Sequence, residues 1–264
     1  MSDSPSSPVA TQQDGAVGII ELARPEKFNC VSPAVCTGLD AALDRFEAPG
    51  CGVRVLLLRA QGAQFSTGAD LQEVKALRQD PQALAAFLAH GHRVLRRMEA
   101  SPLPVVAACH GLSLAGGLEL MLACDVVFAA KTARFGDQHA QFGLVPGWGG
   151  SQRLPRLIGL RRALDLLYSA RWLSAQDAHA MGLVNHLCDP EQLAQESLDY
   201  CRQVALRSRE GLAVMKQLAR QGMEGSLSDG LMLEERLAVP VLLGDDVGEG
   251  LAAFEARRKP NFAA

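Results

Sequence analysis

Several features that would place a chain in a particular class are missing from this sequence. No apolar run is long enough to span a membrane, and runs such as 53–58 and 126–130 are the size of a strand. The first residues show neither the basic segment and apolar core of a secretory signal nor the arginines of a transit peptide. We therefore expect neither a membrane segment nor a targeting segment.

A net positive charge and closely spaced cysteine pairs are also missing. The formal net charge is −3, and a slightly acidic chain is a poor match for nucleic acid or an anionic membrane surface. The 7 cysteines are odd in number and form no C-x-x-C pair, which argues against a disulfide framework or a zinc site. The sequence thus predicts a cytoplasmic protein that binds no nucleic acid, no membrane and no metal.

The length and composition of the chain are those of an ordinary globular protein. Its 264 residues are 48% hydrophobic and 21% charged, enough for one large domain or a core with an appendage. Apolar strands alternate with helical segments, which favours an α/β fold with crossover connections. We expect a disordered tail over residues 1–13, an α/β core over residues 14–200 and a helical C-terminal region over residues 201–264.

The most informative segment runs from Pro104 to Leu154. It predicts a buried strand, a turn at Gly116 and Gly117, and a helix with Glu119 in its first turn. A carboxylate in such an apolar run is costly unless it is paired or used. Backbone amides at a glycine turn opening a helix bind developing negative charge, which suits chemistry beside a carbonyl. The alternative is a glutamate that is simply stabilised by the helix N-terminus.

A second turn, in the sequence QFSTGADLQE, carries Gly68 and Ala69 before another helix. Both turns follow strands, so a parallel arrangement would bring them to the same edge of the sheet, where open α/β folds bind ligands. Two amides from two turns could then hold one oxygen atom. For Asp70 the simpler interpretation is a helix N-cap.

Other polar positions have two interpretations each. Asp137 is explained by a helix cap, and His139 by a satisfied histidine in a short helix, unless both belong to the site. The basic residues Lys27 and Lys259 fit either a solvated face or contacts to ligand phosphates.

Seven segments in register resemble the crotonase superfamily, the enoyl-CoA hydratase/isomerase family, from about residue 15 to 262. They are ARPEKFN, FSTGADLQEV, PVVAACHGLSLAGGLELMLACD, ARFG, GLVPGWGGSQRLPRLIG, SAQDAHAMGLV and FEARRKPNF. The resemblance implies a spiral of ββα units whose helical C-terminal region forms a homotrimer or a dimer of trimers. It also implies an acyl-CoA thioester as substrate and no separate cofactor, since coenzyme A enters with the substrate.

The resemblance also implies roles for individual residues. The amides of Ala69 and Gly116 match the oxyanion hole, and Glu119 matches the first of two catalytic glutamates. The second glutamate is replaced by His139, while Trp148 stands where hydratases of the family have a small residue. The residues expected to contact the CoA ester are Lys27, Gly68, Asp70, Leu71, Gly117, Trp148 and Lys259.

The expected function is reversible hydration of a 2-enoyl-CoA by Glu119 and His139. A histidine near neutrality has both protonation states available, and an adjacent carboxylate favours the charged one. A second hypothesis keeps the site and changes the reaction to double-bond isomerisation, decarboxylation or thioester hydrolysis. A third is a non-catalytic binder of CoA esters.

Overall fold

A computed structural model describes residues 7–262 as nine strands and eleven helices. The strands are β1 Val9–Asp14, β2 Val17–Leu22, β3 Val55–Ala60, β4 Val105–Cys109, β5 Leu112–Leu114, β6 Val126–Ala130, β7 Arg134–Gly136, β8 Leu173–Ser174 and β9 His186–Cys188. The helices are α1 Pro33–Glu47, α2 Leu71–Leu77, α3 Pro81–Ala100, α4 Gly116–Leu122, α5 Gly150–Ile158, α6 Leu160–Ser169, α7 Ala175–Ala180, α8 Leu193–Val204, α9 Arg209–Gly222, α10 Leu227–Leu242 and α11 Asp245–Glu255.

The core is a six-stranded sheet in the order β1-β2-β3-β4-β6-β9. All neighbours pair in parallel except β1 with β2. Leu57 of β3 lies between Ile19 and Val106 in the register, and β3 and β4 are buried because helices such as α8 pack against the sheet. Continuous apolar strands of this kind require cover on both faces, which confirms the predicted α/β class.

A smaller sheet, in the order β5-β7-β8, stands beside the first. Two strands followed by a helix recur as β1-β2-α1, β4-β5-α4 and β6-β7-α5. The sequence predicts one buried strand before the Gly116 turn, but two strands precede it, and the turn follows β5, which belongs to the smaller sheet. The three residues of β5 are too few to show an alternation of apolar and polar positions.

The predicted disordered tail over residues 1–13 is wrong where the structure describes it. Val9–Asp14 forms the edge strand β1, paired antiparallel with β2, and residues 1–6 lie outside the described part. Only Val9 of this strand is buried, against Gly38 of α1. An edge strand needs little apolar surface, so its polar composition resembles that of a tail.

The C-terminal region is helical, as expected, but the change from core to appendage does not fall at residue 200. Helix α8 runs through that position and packs on β3, β4 and β6, while α9 and α10 pack against each other. Helices α10 and α11 expose many large apolar side chains: Leu227, Leu231, Met232, Val239, Leu242, Leu251 and Phe254. Between residues 7 and 262, no helix has the length and apolar character of a membrane span.

Helix α9 is attached to the core by buried charge. The Lys216 side chain is 9% exposed, and its Nζ lies 2.7 Å from Asp125 Oδ2. The same Nζ donates to the carbonyl oxygens of Met98 and Leu103 at 2.9 and 3.0 Å. Arg220 of the same helix donates to Asp125 and to the Ala123 carbonyl at the end of α4. The helix therefore satisfies carbonyl groups that the core leaves unpaired.

Lys216→Met should lower the free energy of unfolding by about 3–5 kcal/mol, the usual cost of breaking a buried ion pair from one side. Chemical denaturation followed by circular dichroism measures this loss. Arg202→Met is the matched control, because Arg202 pairs with Asp14 while 48% exposed. An equal loss in both variants would contradict the structural role of Lys216.

Candidate active site

The backbone of the turn before α4 leaves one amide, that of Gly116, outside the hydrogen bonds of the smaller sheet. Ala115 has φ 48° and ψ −119°, a conformation that costs a non-glycine residue about 1–3 kcal/mol. The Ala115 amide still donates to Gly136 at 2.9 Å, but the next amide, of Gly116, has no hydrogen-bond partner among the described residues. Such strain is typical of functional sites, and here it accompanies an amide that the described residues leave unpaired.

The loop before α2 brings a second amide to the same place. Gly68 has φ +95°, and a Cβ built on it would lie 2.8 Å from the Gly116 nitrogen. A Cβ built on Gly116 would lie 3.3 Å from the Ala69 nitrogen. Within residues 7–262 the Ala69 amide is also without a partner. The structure therefore brings together two free amides from two loops, an arrangement suited to one carbonyl oxygen.

Gly117 permits this close approach of the loops. A Cβ on Gly117 would lie 2.3 Å from the Ser66 carbonyl oxygen, so any larger residue would push the two loops apart. Ser66 also bridges to Ser113 of β5. Gly117 thus acts through packing of the backbone.

Glu119 lies in the first turn of α4, the helix that begins at Gly116, and its side chain is 1% exposed. Its Oε1 accepts hydrogen bonds from the amides of Trp148 at 2.8 Å and Gly150 at 2.7 Å. Burial raises the pKa of Glu119, while the amides of Gly150 and Trp148 and the His139 ring lower it by less. One carboxylate oxygen is therefore fixed, and the other is available for proton transfer.

His139 faces that second oxygen. Its Nε2 lies 3.9 Å from Glu119 Oε2, and its Nδ1 lies 2.9 Å from Asp137 Oδ1. Burial lowers the pKa of His139. The hydrogen bond and charge of Asp137 and the charge of Glu119 raise it by more, so the pKa ends above its ordinary value. Atoms 3.9 Å apart can both reach one water oxygen at hydrogen-bond distance.

For Asp137 the sequence favours a helix cap over a place in the site. The structure instead buries it against the His139 ring, and its second oxygen, Oδ2, has no partner among the described residues. Gln138 between them takes φ 55°. Its side-chain amide donates to the Ala170 carbonyl oxygen and accepts a hydrogen bond from the Trp172 indole. This anchor turns Asp137 and His139 to the same side. The D-x-H spacing was the available signal, but spacing does not show the reversal of the chain at Gln138.

An ion pair holds the loop that binds Glu119. Arg153 donates to both carboxylate oxygens of Glu99, at 2.7 and 2.6 Å, and to the Trp148 carbonyl oxygen at 2.6 Å. Such bidentate pairs are strong and directional. Glu99 also accepts from Arg220 at 3.2 Å, so helix α9 helps to hold this loop.

The remaining expected CoA contacts are not gathered equally. Lys27, in the segment between β2 and α1, and Leu71, the first residue of α2, are both exposed. Lys27 Nζ lies 3.5 Å from Gln72 Oε1 of α2. Asp70 caps α2 through the Gln72 amide at 3.1 Å. Lys259 is not gathered with Lys27 and Leu71. The nearby Phe262 carbonyl oxygen accepts a hydrogen bond from Arg54 at the amino end of β3, whereas the loop that carries Ala69 follows the carboxyl end of that strand.

Trp148 is 4% exposed and packs in the core with its ring edge against Phe87, at a centroid distance of 5.2 Å. It therefore contacts the site from within the protein and not from its surface. In the part of the chain that the structure covers, no cluster of three or more potential metal ligands occurs.

Comparisons with known proteins agree with the resemblance seen in the sequence. The family model described as enoyl-CoA hydratase/isomerase matches residues 12–264. A relative from Rhizobium meliloti (strain 1021) named "Probable enoyl-CoA hydratase" is 35% identical over 251 residues, covering 95% of this chain and 96% of the relative.

Solved structures share the whole architecture. "Enoyl-CoA Hydrates Subunit I" from Geobacillus kaustophilus is 36% identical with a TM-score of 0.91, covering 97% of this chain and 98% of that one. An enoyl-CoA hydratase from a Polaromonas species is 31% identical with a TM-score of 0.93, covering 97% and 99%. These likenesses confirm the crotonase fold.

Asp137→Asn should lower the pKa of His139, because the substitution removes the charge that opposes the effect of burial. The imidazole resonances of His139, followed by NMR across a pH titration, measure the shift. Asp189→Asn, which removes a surface carboxylate paired with Lys131, serves as the control. A His139 pKa that stays or rises in Asp137→Asn would exclude the pairing.

Proposed function

The chain belongs to the enoyl-CoA hydratase/isomerase family, and from this premise we propose that it is a lyase that adds water reversibly to a 2-enoyl-CoA. The observation that carries the proposal is the position of Glu119, whose free oxygen faces His139 at 3.9 Å beside two unpaired amides. An oxyanion site and an acid–base pair are the two elements that such a reaction requires.

The thioester oxygen is proposed to accept hydrogen bonds from Ala69 and Gly116. When water adds to the β-carbon, the π electrons move to the α-carbon and the thioester oxygen gains negative charge. Fixed amides stabilise this charge without having to reorganise, and one such donor is worth about 2.7–4 kcal/mol in other enzymes. Gly68 and Gly117 contribute by allowing the two amides to approach each other.

Glu119 and His139 are proposed to divide the proton transfers. Glu119 takes a proton from water as the oxygen bonds to the β-carbon, and the His139 imidazolium gives its Nε2 proton to the α-carbon. The product is a 3-hydroxyacyl-CoA, and the proton left on Glu119 returns to His139. Since the two groups interact, they titrate as a pair. Asp137 orients the ring and stabilises its charged form.

The surroundings of the site follow from the same proposal. Coenzyme A arrives as part of the substrate, so no separate cofactor takes part, and Lys27 and Leu71 lie beside its path. Lys259 would contribute from a neighbouring subunit of a homotrimer or a dimer of trimers, assembled through the apolar faces of α10 and α11. Seven free cysteines support a cytoplasmic location.

Double-bond isomerisation is the second candidate, favoured by the burial of one glutamate, Glu119, with a carboxylate oxygen that its amide donors leave free. A lone buried base such as Glu119 is sufficient to move one proton between two carbons of an acyl chain. The two reactions differ in whether His139 is needed.

Glu119→Gln and His139→Ala should each lower kcat for hydration of crotonyl-CoA by about 10²–10⁴-fold, the usual contribution of a general acid or base. Loss of the conjugated-thioester absorbance measures the rate. His139→Glu should retain more activity than His139→Ala, because a carboxyl group can carry the same proton. Glu224→Gln, an exposed glutamate outside the site, controls for loss of charge.

A panel of a 2-enoyl-CoA, a 3-enoyl-CoA and a malonyl-type thioester separates the alternatives. If His139→Ala keeps full activity and the wild type converts only the 3-enoyl-CoA, the protein is an isomerase. Release of CO₂ from the malonyl ester would instead indicate decarboxylation, and binding without turnover would indicate a non-catalytic protein.

The pH profile of kcat/KM should be bell-shaped, rising as Glu119 ionises and falling as His139 loses its proton. Burial raises the pKa of Glu119, so the acidic limb lies above that of an ordinary glutamate. The pKa of His139 is raised by Asp137 against the effect of burial, so Asp137→Asn should move the alkaline limb to lower pH. An alkaline limb unaffected by this substitution would show that another group controls it.

A further inference from the structure

The indole of Trp148 occupies a slot beside the proposed oxyanion site. A Cβ built on Gly116 would lie 2.6 Å from Trp148 Cζ3 and 3.3 Å from the Ala69 nitrogen. One position therefore touches both the ring and an amide of the site. The indole edge is therefore the side chain closest to this position at Gly116.

The slot is built to hold a large ring. Gly91 of α3 lies on the other side, and a Cβ there would lie 2.1 Å from Trp148 Nε1. Gly91 and Gly116 thus leave out side chains on two different helices at the points where the ring is closest. Phe87, one turn before Gly91, packs edge-on against the same ring.

The position of Trp148 is also held through its backbone. Its amide donates to Glu119 and its carbonyl oxygen accepts from Arg153. These bonds fix where the side chain starts, and the packing of the ring against Gly91, Gly116 and Phe87 places the indole in the slot.

Behind the ring lies an apolar space that is almost filled. A cavity of about 10 Å³ is lined by Trp148 and Gly116 together with Val31, Leu39, Val94 and Leu120. This volume holds about one water molecule. Its walls are of the kind that receives an acyl chain, but the indole takes the room that a chain would need.

We propose that Trp148 closes the acyl pocket and restricts this protein to short-chain acyl-CoA substrates. The inference rests on the acyl-CoA site of the proposed function but not on the reaction performed there. A smaller residue at this position would join the carbonyl site to the space between α1, α3 and α4.

Binding of saturated esters tests the proposal without turnover. Isothermal titration of the purified wild type with butyryl-CoA and dodecanoyl-CoA should show that the longer ester gains no affinity from its extra methylenes. Trp148→Ala should raise the affinity for dodecanoyl-CoA relative to butyryl-CoA about tenfold or more, since a methylene group admitted to an apolar pocket already gives that ratio.

Trp148→Leu is the second variant, because it keeps apolar volume in the slot if the alanine variant does not fold. It should shift the ratio in the same direction by less, and Trp148→Phe should leave the ratio near that of the wild type. Tyr168→Leu removes an aromatic side chain that is 75% exposed, and it should not change the ratio. Thermal unfolding confirms that each variant is folded.

Two results would overturn the proposal. The first is a wild type that binds dodecanoyl-CoA far more tightly than butyryl-CoA, which would mean that the chain leaves the site by another route. The second is an unchanged ratio in folded Trp148→Ala and Trp148→Leu. A wild type that shows the expected binding ratio but does not hydrate crotonyl-CoA would refute the proposed function and leave the inference about Trp148 in place.

Discussion

The burial of one carboxylate is the constraint on which the site depends. Glu119 lies inside an apolar helix, and an isolated charge there would be strongly unfavourable. The amides of Trp148 and Gly150 bind one of its oxygens, so the loop before α5 is part of what makes a carboxylate tolerable in this position. That loop needs a glycine, Gly149, at its turn. The ion pair of Arg153 with Glu99 holds the loop in place. Removing any of these supports would leave the acid to find another partner or take up a proton.

Around this acid, the other residues form a polarised pair. Under the proposed function His139 takes the place of a second carboxylate and changes the charge balance, since two close carboxylates oppose ionisation of each other and a carboxylate beside an imidazole favours it. Asp137 extends this arrangement to the far side of the ring, where it fixes which nitrogen carries the proton toward Glu119. Glu119, His139 and Asp137 thus form a continuous row of alternating acidic and basic groups, the arrangement on which the proposed acid–base chemistry depends.

The C-terminal helices are connected to the same constraint. Arg220 of α9 bonds to the end of α4 through the Ala123 carbonyl and to the Glu99 carboxylate that holds Arg153. Lys216 and Asp125 bury a further ion pair under the same helix. The helical region is therefore not an independent appendage, because its charges stabilise both the helix that carries Glu119 and the loop that binds it.

Local patterns were sufficient to predict the α/β class and, within Pro104–Leu154, a buried strand and the helix that carries Glu119, because apolar periodicity acts within a few positions. They also located the glycine turns at Gly68 and Gly116 and the acid between apolar neighbours. The strands β1 and β5 were missed, since one is a polar edge strand and the other has three residues, and both exist through pairing with distant segments. The position of the Asp137–His139 pair against Glu119, the close approach of the two turns whose convergence the glycines only suggested, and the packing of Trp148 against Gly116 depend on contacts between elements far apart in the chain. No local pattern records these, because each is a distance between surfaces that come together only when the two sheets and their helices pack.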